Sequence, residues 1–245
     1  MIIVDEGSEV SYIEGCTAPI YQSYSLHTGL VEIIVKKGAK IKFTTVQNWS
    51  KNIYNFSFKK AEVDSEGQIE WVMASLGAKV TMSYPTTILK GESAKTSYLD
   101  LTIASDNQIQ STGAKVIHQA EKTSCNILAK SISKKGGKTI FRGLIKTSAQ
   151  VSDIKSYMRC HSLILDKNSK SYSYPALEIG DNKSKVGHEA TFGGLSDEQL
   201  FYLKSRGLDN DKATALIING FISPITKDLP MDYAVELKRL IEISL

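Results

Sequence analysis

Only three cysteines occur in 245 residues, Cys16, Cys125 and Cys160. They are too few and too far apart for a disulfide framework, and their odd number fits a reducing compartment. No stretch approaches about 18 uninterrupted apolar residues, so no membrane-spanning helix is expected. The start, Met1-Ile-Ile-Val-Asp-Glu6, has neither the basic n-region nor the long apolar run of a secretory leader. The expected location is the cytoplasm, or the stroma of a plastid-type organelle if the genome is organellar. Charge of one sign is also scarce, with 30 basic against 26 acidic residues and a net +4 spread along the chain. Basic pairs such as Lys59-Lys60 and Lys134-Lys135 stand without the aromatic-basic strings of nucleic-acid readers, so they read as solvated surface. A Walker A loop is missing, which assigns any nucleotide work to a partner. A zinc-protease helix is missing too, because His188-Glu-x-x-His would need histidine where Phe192 stands.

What is present is ordinary in bulk. Hydrophobic residues make up 42% and charged residues 23%, so a chain of this length can bury a substantial core. Before residue 195 the pattern is one of short strands rich in β-branched and aromatic residues. Examples are 30–35, 41–46, 53–58, 69–73, 79–84 and 98–103, continuing through 115–118, 126–129, 139–142 and 162–165. Turn signals such as Glu66-Gly67, Ser105-Asp-Asn107 and Lys135-Gly-Gly137 separate them. With no helical periodicity between the strands, the region is all-β: a sandwich, a barrel or a β-solenoid. No repeat of fixed length selects the solenoid.

After residue 195 the pattern turns helical. Ser196-Asp-Glu-Gln199 is a capping box before Leu200-Phe-Tyr-Leu203, and Arg206-Gly207 ends that helix. Asp209 or Asp211 can cap a second helix that stops near Gly220. Pro230 suits the first turn of a third, 231–244. The expected division is 1–194 for the β core and 195–245 for the helices, which either cap that core or offer a face to another protein, with capping favoured.

Few residues stand out chemically. Cys16, before Thr-Ala-Pro19, lies in or beside a turn and is reactive only if its pKa is lowered. Cys160 opens a strand beside Arg159 and His161, and strand alternation forbids Cys160 and His161 from pointing inward together. Cys125 has no supporting neighbours. His188-Glu189 reads as a loop pair bounded by glycines, where functional side chains concentrate. Thiol, imidazole and carboxylate together favour sulfur or iron chemistry over hydrolysis. Gln47-Asn48-Trp49 reads as a polar turn with a packed Trp, and Lys59 as a strand-edge charge.

Taken in order, several strings resemble one family. They are Glu14-Gly-Cys-Thr-Ala-Pro19, Leu26-His27, Thr45-Val-Gln-Asn-Trp49, Thr81-x-x-Tyr-Pro85, Gly113-Ala-Lys-Val-Ile-His118, Arg142-Gly-Leu144, His188-Glu-Ala-Thr191, Asp197-Glu-Gln-Leu-Phe-Tyr-Leu203, Ser205-Arg-Gly207 and Leu229-Pro-Met-Asp-Tyr-Ala-Val-Glu236. The likeness is to the SufB/SufD scaffolds of the SUF iron–sulfur assembly machine. Cys-Thr-Ala-Pro and Cys160 favour the SufB-type subunit.

The resemblance implies a right-handed parallel β-helix followed by a small helical domain. It implies a scaffold rather than an enzyme, with ATPase activity in the partner SufC, which docks on the C-terminal helices. It also implies pairing with a second SufB-type chain or with SufD, and sulfur supplied by a cysteine desulfurase system. Cys16 is then the persulfide acceptor, and Gln47, Trp49 and Lys59 belong to a conduit through the helix. Cys160, His188 and Glu189 are the candidate site for a transient, nascent iron–sulfur cluster. The alternative is a SufD-like partner that completes the interface and recruits SufC without accepting sulfur. Longer members carry an N-terminal helical region, and some have a further glutamate where this chain has Gly187, so Glu189, Glu178 or a partner residue would have to replace it. At 20 or more residues per coil, Cys16 and Cys160 lie at most about seven coils, or roughly 30 Å, apart, so a relay is needed. A polysaccharide-acting β-helix enzyme is disfavoured, because no clustered acidic face is seen.

Overall fold

The computed structural model describes residues 1–18, 23–148, 151–227, 229, 231, 233–235 and 239. Fifteen strands lie among them: β1 (Ile2–Val4), β2 (Glu9–Thr17), β3 (Ser25–Val35), β4 (Lys40–Trp49), β5 (Ile53–Val63), β6 (Gln68–Gly77), β7 (Val80–Ser83), β8 (Thr86–Leu89), β9 (Lys95–Ala104), β10 (Ile109–His118), β11 (Ser124–Ser133), β12 (Lys138–Thr147), β13 (Lys155–Ile164), β14 (Lys170–Glu178) and β15 (Lys185–Gly194). They pair in parallel into two sheets. One runs β1-β3-β5-β7-β10-β12-β14, with β8 continuing β7 between β5 and β10. The other runs β2-β4-β6-β9-β11-β13-β15. Each coil supplies one strand to each sheet, giving a mainly β solenoid of about six turns.

The open choice among sandwich, barrel and solenoid is thus closed in favour of the solenoid. Its repeat was hard to read because coil length varies: Asn55 pairs with Thr81, but Lys138 with Lys170. The gap between β7 and β8 falls at Tyr84-Pro85, where proline cannot donate to the ladder. Gly77, at φ +70°, lies against Trp49, whose carbonyl oxygen is 1.8 Å from where a Cβ would sit; no other residue fits there.

Two apolar clusters result. Inside the solenoid, Phe43, Trp71, Tyr98, Ile127, Ile145 and Met158 pack together. Outside the second sheet, Val46, Val72, Leu101, Ile103, Ile132 and Leu163 meet Ile218, Ile222 and Ile225.

Those isoleucines belong to α2 (Asn210–Thr226), capped by Asp209, whose Oδ1 accepts from the Lys212 amide at 2.8 Å. The helix α1 (Asp197–Ser205) is capped by Ser196 as the capping box predicts, and buries no residue. Helix α2 does not stop at Gly220. Burial of Ile222 and Ile225 carries it past the glycine and through Pro224, despite the backbone bond that proline loses. Lys130 ties α2 to β11: its Nζ donates to the Phe221 carbonyl at 2.6 Å and stands over the Phe221 ring. The third expected helix, 231–244, lies largely outside the described residues. Among the described residues no helix is long and apolar enough to cross a membrane.

Candidate functional site

Parallel pairing in register stacks inward side chains into columns along the solenoid axis. Two adjoining columns of the second sheet are polar. One reads Glu14, Thr45, Met73, Asp100, Ala129, Cys160; the next reads Cys16, Gln47, Ser75, Thr102, Ser131, Ser162. Opposite them the first sheet presents His27, Asn55, Thr81, Gln110, Thr139 and Ser171. Hydrogen bonds cross between the sheets at Gln47–Asn55 (2.8 Å), Asp100–Thr112 (2.9 Å) and Ser162–Ser171 (2.9 Å). A polar lane therefore runs through the interior beside the apolar column Tyr12, Phe43, Trp71, Tyr98, Ile127, Met158.

Cys16 lies at one end of the lane. It is on β2, one residue from the strand's end, and half-buried, with Gln47 beside it in register. Burial, then the Glu14 carboxylate, push its thiol above the ordinary cysteine range, while Lys59 pulls it down. Lys59 is no edge charge. It faces inward from β5, is 5% exposed, and donates to Glu14 Oε1 at 3.1 Å and Ser57 Oγ at 3.0 Å. Nor is Gln47-Asn48-Trp49 a turn, since all three residues belong to β4. Gln47 Oε1 accepts from Asn55 Nδ2, Asn55 Oδ1 bonds His27 Nδ1 at 2.9 Å, and the His27 ring lies 4.3 Å from that of Trp49. The resemblance assigned a conduit role to Gln47, Trp49 and Lys59; of the residues that hold them, Glu14 and His27 stood in its strings without a role, and Ser57 and Asn55 did not appear. Their signal was the inward register of strands whose pairing was unknown.

Cys160 lies near the other end, in mid-strand rather than at a strand start. It is buried and inward, with Arg159 and His161 on the outer face as alternation requires. Burial raises its pKa most, and the Asp100 carboxylate raises it further, while the neighbouring Ser173 acts in the opposite sense. Five strand-to-strand steps separate β2 from β13, so the two thiols stand roughly 24 Å apart along the axis. That shortens the seven-coil bound to five steps.

His188-Glu189 is in strand β15, not a loop. The glycines around it are accommodated in an edge strand whose residues are largely exposed. His188 stands opposite Met158 on the inward face, one pleat from Cys160. Glu189 stands opposite Arg159 on the outer face, where the Tyr157 hydroxyl donates to it at 3.4 Å. Cys160 and Glu189 therefore point to different sides of one sheet. Among the described residues no three His, Cys, Asp or Glu side chains converge to hold a metal. Cys125 is buried in the apolar part, and burial drives its thiol far up.

The fold and these residues define a class: a parallel β-solenoid with a thiol near each end of an internal polar lane and helices packed on one flank. Residues 1–221 match the family described as SUF system FeS cluster assembly, SufBD core domain. The chain belongs to this SufBD family. It is 48% identical over its whole length to an iron-sulfur cluster assembly SufBD family protein of Staphylococcus epidermidis, covering 53% of that protein. It is 47% identical to one of Mycobacterium leprae, covering 28%. The chain thus spans about half the length, or less, of these relatives.

Proposed function

We propose that the chain is a SufB-type scaffold that accepts sulfur at Cys16 and passes it through the solenoid to Cys160. There it contributes to assembly of a nascent iron–sulfur cluster, the cargo of the process. The observation that carries this reading is that both thiols face the same interior lane, near opposite ends, with Gln47 and Lys59 beside the first. Lys59 opposes the effect of burial and of Glu14 on Cys16, favouring the thiolate that attacks a donor persulfide. The donor is a cysteine desulfurase system, and the chain itself works as a scaffold in the cytoplasm or an equivalent stroma.

Because Cys160, His188 and Glu189 do not converge within one chain, the cluster site is completed by a second chain, SufB-type or SufD, against the open end at β15. The helical segment 195–245 docks the SufC ATPase, for which α1 offers exposed Phe201 and Tyr202. Nucleotide hydrolysis there drives the conformational change.

A persulfide-specific label followed by mass spectrometry tests this. Wild-type chain exposed to a sulfur-loaded desulfurase should carry label on Cys16 and Cys160, and Cys160→Ala should lose cluster loading in anaerobic reconstitution with iron and sulfide. Cluster loading that is unchanged in Cys160→Ala removes Cys160 from the site. The raised pKa of Cys16 favours a second reading, a SufD-like partner that accepts no sulfur. An unlabelled Cys16 would select it.

A further inference from the structure

Along the inward positions of the paired strands, the described residues include two carboxylates: Glu14 at the first coil and Asp100 deep inside. Asp100 is 4% exposed, and only one of its oxygens is used. Oδ2 accepts from Thr112 at 2.9 Å and Thr102 at 3.2 Å, while Oδ1 is buried with no partner. A buried carboxylate oxygen left empty is costly and calls for a water or another ligand. The space for one is present. A cavity of about 10 Å³ is lined by Asp100, Thr102, Thr112, Ala129, Cys160 and Ser162, among others, and a site of that size holds one water. Its origin is legible in the register, because Ala129 separates Asp100 from Cys160 in their shared column, and its methyl group leaves the gap.

We propose that Asp100 is the proton acceptor for Cys160, reached through a single water held over Ala129. This rests on the reading that Cys160 receives sulfur. A thiol reacts as its thiolate, and Cys160, 3% exposed, needs a neighbouring group to take its proton. In the reaction the Cys160 S–H proton passes to the water, and a water proton passes to Asp100 Oδ1. The thiolate then attacks one sulfur of an incoming hydrogen disulfide, HS–SH, formed when hydrosulfide takes the sulfane sulfur from the Cys16 persulfide and leaves the Cys16 thiolate. The S–S bond of the carrier breaks, a new S–S bond forms on Cys160, and hydrosulfide leaves. Hydrosulfide takes up the proton from Asp100, which restores the carboxylate. The sulfane sulfur moves without net oxidation or reduction.

The test uses the full chain and sulfane sulfur labelled with ³⁴S. In Asp100→Asn, Cys16 should load at the native rate while labelling of Cys160 slows about 100-fold, the lower end for losing a proton-transfer group. Asp100→Glu should restore part of that rate. Labelling of Cys160 at the native rate in Asp100→Asn would overturn the proposal and leave the sulfur-route reading standing. If Cys160 takes no label in the wild type, that reading fails instead, and a second measurement still decides the Asp100 link. In a Cys16→Ser, Cys125→Ser background, the infrared S–H band of Cys160 should lie low, as for a hydrogen-bonded thiol, and move up in Asp100→Asn. A band that is the same in both proteins would overturn the link.

Discussion

The two halves of the solenoid interior are built from the same strands yet do different work. In the apolar half, Tyr12, Phe43, Trp71 and Tyr98 stack along one column with ring centroids 5.0 to 5.9 Å apart. The polar handles of the two most deeply buried rings are satisfied, since Trp71 donates to Thr87 at 3.0 Å and Thr87 bonds Tyr98 at 2.6 Å. In the polar half, hydroxyls and amides bond to one another, while Thr45 Oγ1, Asp100 Oδ1 and Gln110 Oε1 are buried and left over, against Thr96 Oγ1 on the apolar side. A fold built for stability alone would have filled both halves alike. The lane accepts unsatisfied groups and a buried charge, and such concessions gather at functional sites.

The difference can be broken from either side, starting with the largest effect. Trp71→Ala should cost about 4 kcal/mol in chemical denaturation, through lost burial and the cavity left behind. A cost below about 1 kcal/mol would mean the apolar half is not the stabilising one. Asp100→Asn should do the reverse. Because the folded protein holds the Asp100 proton to about pH 6 while an unfolded chain releases it near 3.8, wild-type stability falls as pH rises through that window. The variant lacks this loss, so its advantage should grow from nothing near pH 3.5 to about 3 kcal/mol at pH 7. Parallel stability curves for the two proteins would contradict this. Lys59→Met leaves Glu14 without its partner and should cost about 2 kcal/mol, reduced by the part-exposure of Glu14. Adding Glu14→Gln should recover about half. Cys160→Ala should cost only about 1 kcal/mol, because a buried thiol packs as a small hydrophobe.

The β-rich body and the helical tail were legible in the sequence because strand alternation and caps are local signals. Ser196 and Asp209 cap as their spacing predicts. The end strands were not. Pro175 breaks the pattern of β14, and glycines at 187, 193 and 194 make β15 read as loop, although pairing with the preceding coil settles both. At the site, the sequence showed that Cys160 and His161 must face opposite ways. Which residues stack with Cys16 and Cys160 depends on register between coils of unequal length. Asp100, in an unremarkable Tyr-Leu-Asp-Leu-Thr run, therefore gave no local signal.

The most direct test of the sulfur route places a plug midway along the lane. Ser75 is buried in the same column as Cys16, two strands further on. Ser75→Leu should cost about 1–3 kcal/mol by overpacking, which leaves a folded chain to be checked by circular dichroism. With ³⁴S-labelled sulfur delivered to Cys16, the variant should show Cys16 labelled and Cys160 unlabelled, where the wild type shows both. Label reaching Cys160 in Ser75→Leu at the wild-type rate would mean that sulfur does not travel through the interior.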